Sequence, residues 1–368
     1  MRILVVNAGS SSLKLSLVSQ PGDESVADDE LDLGSDATRS TGAFDGLDVA
    51  LDRLGATAVA AVGYRVVHGG HRRHPVIIDD SVLADIEALD ELAPLHNRVA
   101  AMAIRQVRAR LPDVPHVACF DTAFHATLPD AATRYALPAD WVDRFDLRRY
   151  GFHGLSVQWA VERTARLLGR PAASLAIVVA HLGSGASVTA VRDGRSVATS
   201  MGMTPLEGLV MGTRAGSFDP GILLHVLRHG VDVDSLEDGL AHRAGLLALY
   251  GEGGMRAVEA AARDGDERAR SALAVFVARA AAEIAAAASA LPRLDALVFT
   301  GGIGEHSVVV RDEVCRRLAV LGVRPLGPDA ADGDRLLTST DPSVAVVHAR
   351  EDLVISRQVA EVVTPRPA

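Results

Sequence analysis

One local pattern occurs twice in this chain, and it limits the fold more than any other feature. An apolar run at residues 3–6 is followed by a small polar turn, Asn7-Ala8-Gly9-Ser10-Ser11-Ser12, and a second apolar-rich run at 13–18. The pattern starts afresh at residue 174. An apolar run to Ala180 leads into the turn His181-Leu182-Gly183-Ser184-Gly185, and a further run occupies 186–191. Short apolar runs bounded by Gly and Ser read as buried strands joined in a hairpin. Their repetition reads as two related halves rather than one large sheet. The length of 368 residues agrees, because single cores stop growing at roughly 250–300 residues. Further strands are expected at 59–67, 116–120, 294–300 and 345–348, and helices at 80–92, 98–111, 154–168, from about 308, and 352–363. Residues 20–48, acidic and rich in Gly, Ser and Asp, read as surface loops and edge strands.

Lys14 is the only lysine, and the other 36 of the 37 basic residues are arginine. Its compact ammonium suits a phosphate as a point charge, where arginine brings a wide planar fork. Beside it, successive backbone N–H groups of the Gly-Ser turn can form an anion-binding concavity. The bland alternative is a serine-rich hairpin with one leftover lysine. This is not a Walker loop, because a strand rather than a helix follows. The second turn strengthens the phosphate reading, since two such turns can grip a phosphate chain from both sides. Gly301-Gly302-Ile303-Gly304-Glu305, between a strand and a helix, either admits a flat ligand against the backbone or serves only tight packing.

Arg65 ends an apolar strand, and Arg214 lies in the glycine-flanked loop Met211-Gly212-Thr213-Arg214-Ala215-Gly216. Both positions suit planar anion recognition, with a structural ion pair as the alternative. Asp121 follows an apolar strand, where a carboxylate meets a metal or an arginine. His153 sits between Phe152 and Gly154, and Glu351 caps the last strand, where its oxygens suit Mg²⁺. The net charge of -10 and the lack of a basic patch disfavour nucleic acid. Cys119 and Cys315 lack metal-ligand spacing and fit a reducing cytoplasm. The apolar start is too short for a signal core. The alanine-rich stretch 272–291 carries Arg279 and Glu283 and reads as a core or interdomain helix rather than a membrane span.

Together these segments resemble the acetokinase family of the actin/hexokinase/Hsp70-type ATPase superfamily. The carriers run nearly end to end: NAGSSSLK at 7–14, YRVVHGG at 64–70, APLHN at 93–97, FDTAFH at 120–125 and RRYGFHG at 148–154. They continue with HLGSGAS at 181–187, TSMGMTPLEGLVMGTRAG at 199–216, FTGGIGEH at 299–306 and REDLVIS at 350–356. The resemblance implies two α/β domains of the ribonuclease-H-like type with an active-site cleft between them, one formed by 1–149 plus 352–368 and the other by 150–351. It implies acetate kinase activity: reversible transfer of the ATP γ-phosphoryl to acetate, giving acetyl phosphate and ADP, with Mg²⁺ (or Mn²⁺). It also implies a homodimer. By matching position, Asn7 and Glu351 support the metal, Asp121 and His153 are catalytic with Arg65 and Arg214, and Arg65, Val67, Leu95, His96, Phe152 and Pro205 surround the acid. Ser10, Ser12 and Lys14 face the phosphates. His181, Leu182, Gly183, Ser184 and Gly185 hold the nucleotide, with Gly254, Met255 and Arg256, and with Gly301, Gly302, Ile303, Gly304, Glu305 and His306.

Acetate is already ionised at pH 7, so it needs no general base. The difficulty is bringing an anion to a polyanion, which arginines, a lysine and a metal address by charge neutralisation and positioning. Orienting Arg65 or the hydrated metal is therefore the expected role of Asp121. The chain departs from the family pattern at Ser184 (Asn in the family), at the acid-free Gly254-Met255-Arg256 loop, at Ala349-Arg350 (Thr-Asn) and at Val157 (His). The region around 20–48 is trimmed. Weaker ATP binding is expected from these changes. The competing readings are a propionate or other short-chain acid kinase and a nucleotide-binding homologue with weakened turnover.

Overall fold

The computed structural model describes residues 1–9, 12–33, 44–93, 96–327 and 332–364. The chain divides into two compact units. The first comprises Met1–Ala126, Phe152–Trp159 and Arg350–Ala368, and the second Thr127–Gly151 and Ala160–Ala349. This partition differs from the sequence expectation chiefly in giving Thr127–Arg149 to the second unit and Phe152–Trp159 to the first.

The first unit is built on β1 (Arg2–Ala8), β2 (Ser12–Ser19), β3 (Glu24–Asp32), β4 (Ala61–Val66), β5 (Val76–Ile77) and β6 (His116–Phe120), in the spatial order β3-β2-β1-β4-β6-β5. β1 pairs antiparallel with β2 and parallel with β4. β4 continues parallel to β6, and β5 closes the edge antiparallel. The inner strands are apolar on both sides because both faces are covered. Leu4, Val6, Tyr64 and Val66 share a core with Val99, Ala103, Ile104 and Val107 of the helix Asn97–Arg110. The opposite face is covered by the helix Glu351–Val363, which packs on β1 and β4. Its approach is close: a Cβ on Gly63 would come within 2.6 Å of Ile355 and Val359 methyl groups. Each such fully buried aliphatic side chain contributes roughly 2 kcal/mol.

The second unit repeats the plan. Its strands are β7 (Ala176–Leu182), β8 (Ala186–Arg192), β9 (Arg195–Thr199), β10 (Ala296–Thr300), β11 (Arg335–Thr338) and β12 (Ser343–Val346), in the order β11-β12-β10-β7-β8-β9. Read from β9, every pairing sense matches the first sheet, down to the antiparallel strand closing the edge. The alanine-rich helix spans Glu267–Ala288 and packs on β7 and β8, burying Phe276, Val277, Ala280 and Ile284. By length and composition alone it could cross a bilayer. In the fold it is the core helix of its sheet.

Two local expectations need correction. His181 and Leu182 belong to β7, so the turn is only 183–185. Gly301–His306 is itself a short helix, because the positive φ of Gly301 (76°) lets the chain turn directly out of β10.

Candidate active site

In the first unit the sheet register lines up the polar residues. Asn7 stands directly opposite Lys14 on one neighbour and Arg65 on the other. Directly paired residues share a face, so Lys14, Asn7 and Arg65 form one row on the side covered by the helix Glu351–Val363. Asn7 Nδ2 donates to Glu351 Oε2 at 2.8 Å, and Arg65 Nη1 lies 3.3 Å from the same oxygen. Arg65 also donates through Nε (3.0 Å) and Nη2 (2.7 Å) to Asp121 Oδ2. Burial opposes the Arg65 charge, but Asp121 and Glu351 outweigh it and hold the guanidinium firmly protonated. Burial pushes the Asp121 carboxyl up to about 6, with Arg65 pulling it down and Glu351 adding to the rise.

His153 is tied to this group through the backbone. Gly154 N donates to Asp121 O at 3.0 Å, and any Cβ on Gly154 would overlap that oxygen. His153 itself adopts a left-handed φ of 58°, a strain of about 1–3 kcal/mol of the kind retained at functional sites. His125 Nε2 lies 2.9 Å from Phe152 O, and burial holds the imidazole neutral by lowering its pKa to about 4. Its ring N–H therefore donates to that carbonyl and fixes the Phe152-His153 backbone. Phe152 packs edge-on to His68 at 5.4 Å, beside buried Val67. Asn97 spans His68 N (3.0 Å), His68 O (3.0 Å) and Ile86 O (3.2 Å), and so fixes the strand exit that carries Val67.

In the second unit, glycines bring backbone against backbone. Gly183 N donates to Gly185 O at 3.0 Å, closing the hairpin turn. Gly212 N donates to Ser184 O at 3.2 Å, and a Cβ on Gly212 would lie 3.0 Å from Gly253 O. A Cβ on Gly301 would meet Leu182 O at 2.8 Å and His181 Nε2 at 3.2 Å. Four separated segments thus meet through surfaces almost free of side chains, which is what a polyphosphate or a flat base requires. Glu305 Oε1 accepts from Ala349 N at 2.9 Å. Arg311, 2% exposed, donates to the Gly304 and Glu305 carbonyls and caps the helix Gly301–His306.

Arg214 is buried, and its Nη1 donates to Pro205 O at 3.1 Å. Among the described residues no carboxylate pairs with it, and burial alone lowers its pKa to about 10.

The first unit therefore gathers Asn7, Lys14, Arg65, Asp121 and Glu351, with Val67, Phe152 and His153 linked to them. The second gathers His181 to Gly185 with Gly301 and Gly302, and separately Arg214 with Pro205. Ser12 opens β2, and Gly9 N donates to its carbonyl at 2.8 Å. His96 precedes the helix Asn97–Arg110, and Gly254 precedes the helix Met255–Arg263. Met255 is buried in the core and Arg256 is exposed, so they point in different directions. Ser10 and Leu95 lie outside the described residues. Asn97, His125, Tyr135, Arg149 and Glu207 were not foreseen. Four of these stand inside the quoted strings, but only the contacts reveal that they brace the site.

A duplicated sheet, a glycine-built cradle and buried guanidinium groups are the equipment of a nucleotide-dependent phosphotransferase. The family model described as the Acetokinase family matches residues 41–357. The acetate kinase of Deinococcus deserti is 44% identical, with 98% of each chain covered. Among solved structures, a Porphyromonas gingivalis acetate kinase superposes with a TM-score of 0.87 at 30% identity, covering 99% of this chain and all of that one. A propionate kinase from Francisella tularensis gives a TM-score of 0.86 at 33% identity, covering 98% of this chain and all of that one. The chain belongs to the acetokinase family, phosphotransferases whose acceptor is a carboxyl group and whose phosphoryl donor is ATP.

Proposed function

We propose that this chain transfers the γ-phosphoryl group of ATP reversibly to acetate, with Mg²⁺ and with Mn²⁺ as a substitute. The observation that carries this reading is Arg214, a buried guanidinium with no carboxylate beside it among the described residues. A desolvated cation without a counter-ion is costly, and a small carboxylate relieves that cost. Acetate arrives as an anion, so the chain's task is to orient it and to offset repulsion by the phosphates. Arg65 offsets charge from a fixed position, and its double hydrogen bond to Asp121 supports an orienting role for that acid. Lys14 neutralises nucleotide phosphates, and His153 hydrogen-bonds the phosphoryl group in flight. By matching position, Val67, His96 and Phe152 of the first unit and Pro205 of the second are the residues proposed to contact the acid. The glycine turns hold ATP.

The donor chemistry of Asn7 and Glu351 fits Mg²⁺, a hard ion that takes one or two carboxylates and completes its shell with phosphates and water. When bound, the ion neutralises phosphate charge. Arg350, next to Glu351, is turned onto Asp352, with Nε–Oδ1 at 3.0 Å and Nη2–Oδ2 at 2.8 Å.

A homodimer is part of the proposal. The helix Gly221–Arg228 buries none of its residues, and Phe218, Ile222, Leu224, Leu227, Val231 and Val233 are exposed, a face suited to a second copy. The two cysteines are buried and free, which supports a reducing cytoplasm. The test is initial rates of acyl phosphate formation, trapped as hydroxamate, with acetate, propionate and butyrate against ATP and GTP. Acetate should lead propionate by about 10–200-fold in kcat/KM, the range one methylene allows. Equal or better turnover of propionate would move the assignment to the longer acid.

A further inference from the structure

We infer that Tyr135, Arg149 and Glu207 form a clamp that sets the position of the loop carrying Pro205 and Arg214. The three are positioning residues for the carboxylate acceptor, and this inference rests on the proposed function above. The loop is a hairpin of its own. Its neck is closed by Gly208 N to Ser217 Oγ (3.0 Å) and Ser217 N to Gly208 O (2.8 Å). Its tip is closed by Met211 N to Arg214 O (3.1 Å), and Arg214 reaches back to Pro205 O. The tip is fixed to its unit by Gly212 N to Ser184 O (3.2 Å), Ala244 N to Thr213 O (2.9 Å), Leu246 N to Met211 O (2.9 Å) and Leu247 N to Gly212 O (3.0 Å), but none of these bonds holds the base at 200–207.

The clamp does so. Arg149 Nη1 donates to the carbonyls of Ser200 (3.0 Å) and Met201 (2.9 Å), and Nη2 donates to Glu207 Oε1 at 2.6 Å. Tyr135 donates to Glu207 Oε2 at 2.7 Å and accepts from Met203 N at 3.0 Å. The Arg149 guanidinium lies over the Tyr135 ring at 5.3 Å. Gly202 O accepts from Tyr150 N (3.0 Å) and Gly151 N (3.2 Å). Space is fully used, because a Cβ on Gly202 would overlap both Glu207 Oε2 and the Tyr135 hydroxyl. At the neck, the helix Glu267–Ala288 adds a tether, where Arg279 Nη2 donates to Ser217 O at 2.6 Å.

An exposed ion pair is worth little, and its removal leaves the backbone in place. This pair differs because its guanidinium and phenol are spent on the loop's own carbonyls and amide. Burial raises the Tyr135 pKa well above its usual range, so the hydroxyl stays a donor to Glu207. The segment carrying the Pro205 carbonyl, to which Arg214 donates, is therefore placed by three side chains that need not touch either substrate.

The variants are Tyr135→Phe, which keeps the ring and loses the hydroxyl, and Glu207→Gln, which keeps the shape and loses the charge. Steady-state kinetics and amide hydrogen exchange across 201–217 are measured for both at a temperature where each is folded. The acetate KM should rise about tenfold with the ATP KM unchanged, since misplacement remote from the reacting atoms is felt at this level. Exchange across 201–217 should quicken in both variants. An unchanged acetate KM, or equal increases for acetate and ATP, would overturn the clamp. If the wild-type chain forms no acyl phosphate at all, the functional reading has failed separately and exchange alone judges the clamp. Faster exchange confined to 201–217 then supports it, and unchanged exchange overturns it.

Discussion

Two arginines carry opposite kinds of information. Arg65 is saturated by Asp121 and Glu351, whereas Arg214 is buried beside a carbonyl and a thioether with no acid among the described residues. The first is a fixed charge, and the second is the group we propose for the acceptor carboxylate. Asp121→Asn should raise the acetate KM and slow turnover, because Arg65 loses an anchor, while the pH–rate profile keeps its shape. A variant with normal acetate KM and one missing limb of that profile would mark Asp121 as a proton acceptor instead. His125 supplies a stability test. Its folded pKa of about 4 lies below the ordinary 6.5, so the folded chain binds this proton less readily than the unfolded chain. Its contribution is complete above pH 6.5 and is lost as the pH falls toward 4; that interval converts to roughly 3 kcal/mol at about 1.4 kcal/mol per pH unit. Denaturant titrations at pH 7.5, 6 and 5 should show this decline, and His125→Gln should flatten it. An equally steep decline in the variant would place the titration elsewhere. At this scale lone Lys14 and the strand-end Arg65 stood out in the sequence by position, and the register sets both opposite Asn7. The sequence did not show Asn97, His125 or Glu207, because a residue that braces a backbone looks like any polar residue until its partner is known.

Elements set these side chains by register and by caps. A slip of one residue between β1 and β4 would remove Arg65 from the Asn7 row, because alternate residues face opposite sides of the sheet. The hydrophobic runs of β1, β4, β7 and β10 were legible as strands because they are buried on both faces. β5, β9 and β11 were not, being short or half-exposed edges with no apolar run. The short helix Gly301–His306 was read as a turn because glycines signal a turn when their capping partner is unknown. That partner is Arg311, ten residues on from Gly301 in sequence. Arg311→Met should lower stability by about 3 kcal/mol, as two buried carbonyls lose their donor. The ATP KM should rise with it. Thermal unfolding without loss of midpoint would show that the cap is dispensable.

The whole molecule is one plan used twice, with pairing senses conserved strand for strand. The repeated hairpin made this legible, and the same equivalence sets His181, opposite Thr300, at the position Asn7 holds opposite Arg65. The two halves differ in chemistry: the Asn7 row of the first carries charges, and the corresponding turn of the second is built from glycines. Self-association belongs to this scale. Leu224→Glu on the unburied helix should convert a dimer to a monomer in sedimentation, and a wild-type chain that sediments as a monomer would remove the proposed face from consideration. The most direct test of the central claim compares wild-type and Arg214→Gln chains by hydroxamate trapping under saturating ATP, Mg²⁺ and varied acetate. The account predicts ATP-dependent acetyl phosphate from the wild type and a loss of about 10³-fold or more in kcat/KM for the variant, the scale of removing a charge-stabilising arginine. Retention of the wild-type rate within about threefold, with the acetate KM unchanged, would contradict it, since the acid-free guanidinium would then not be where the acceptor binds.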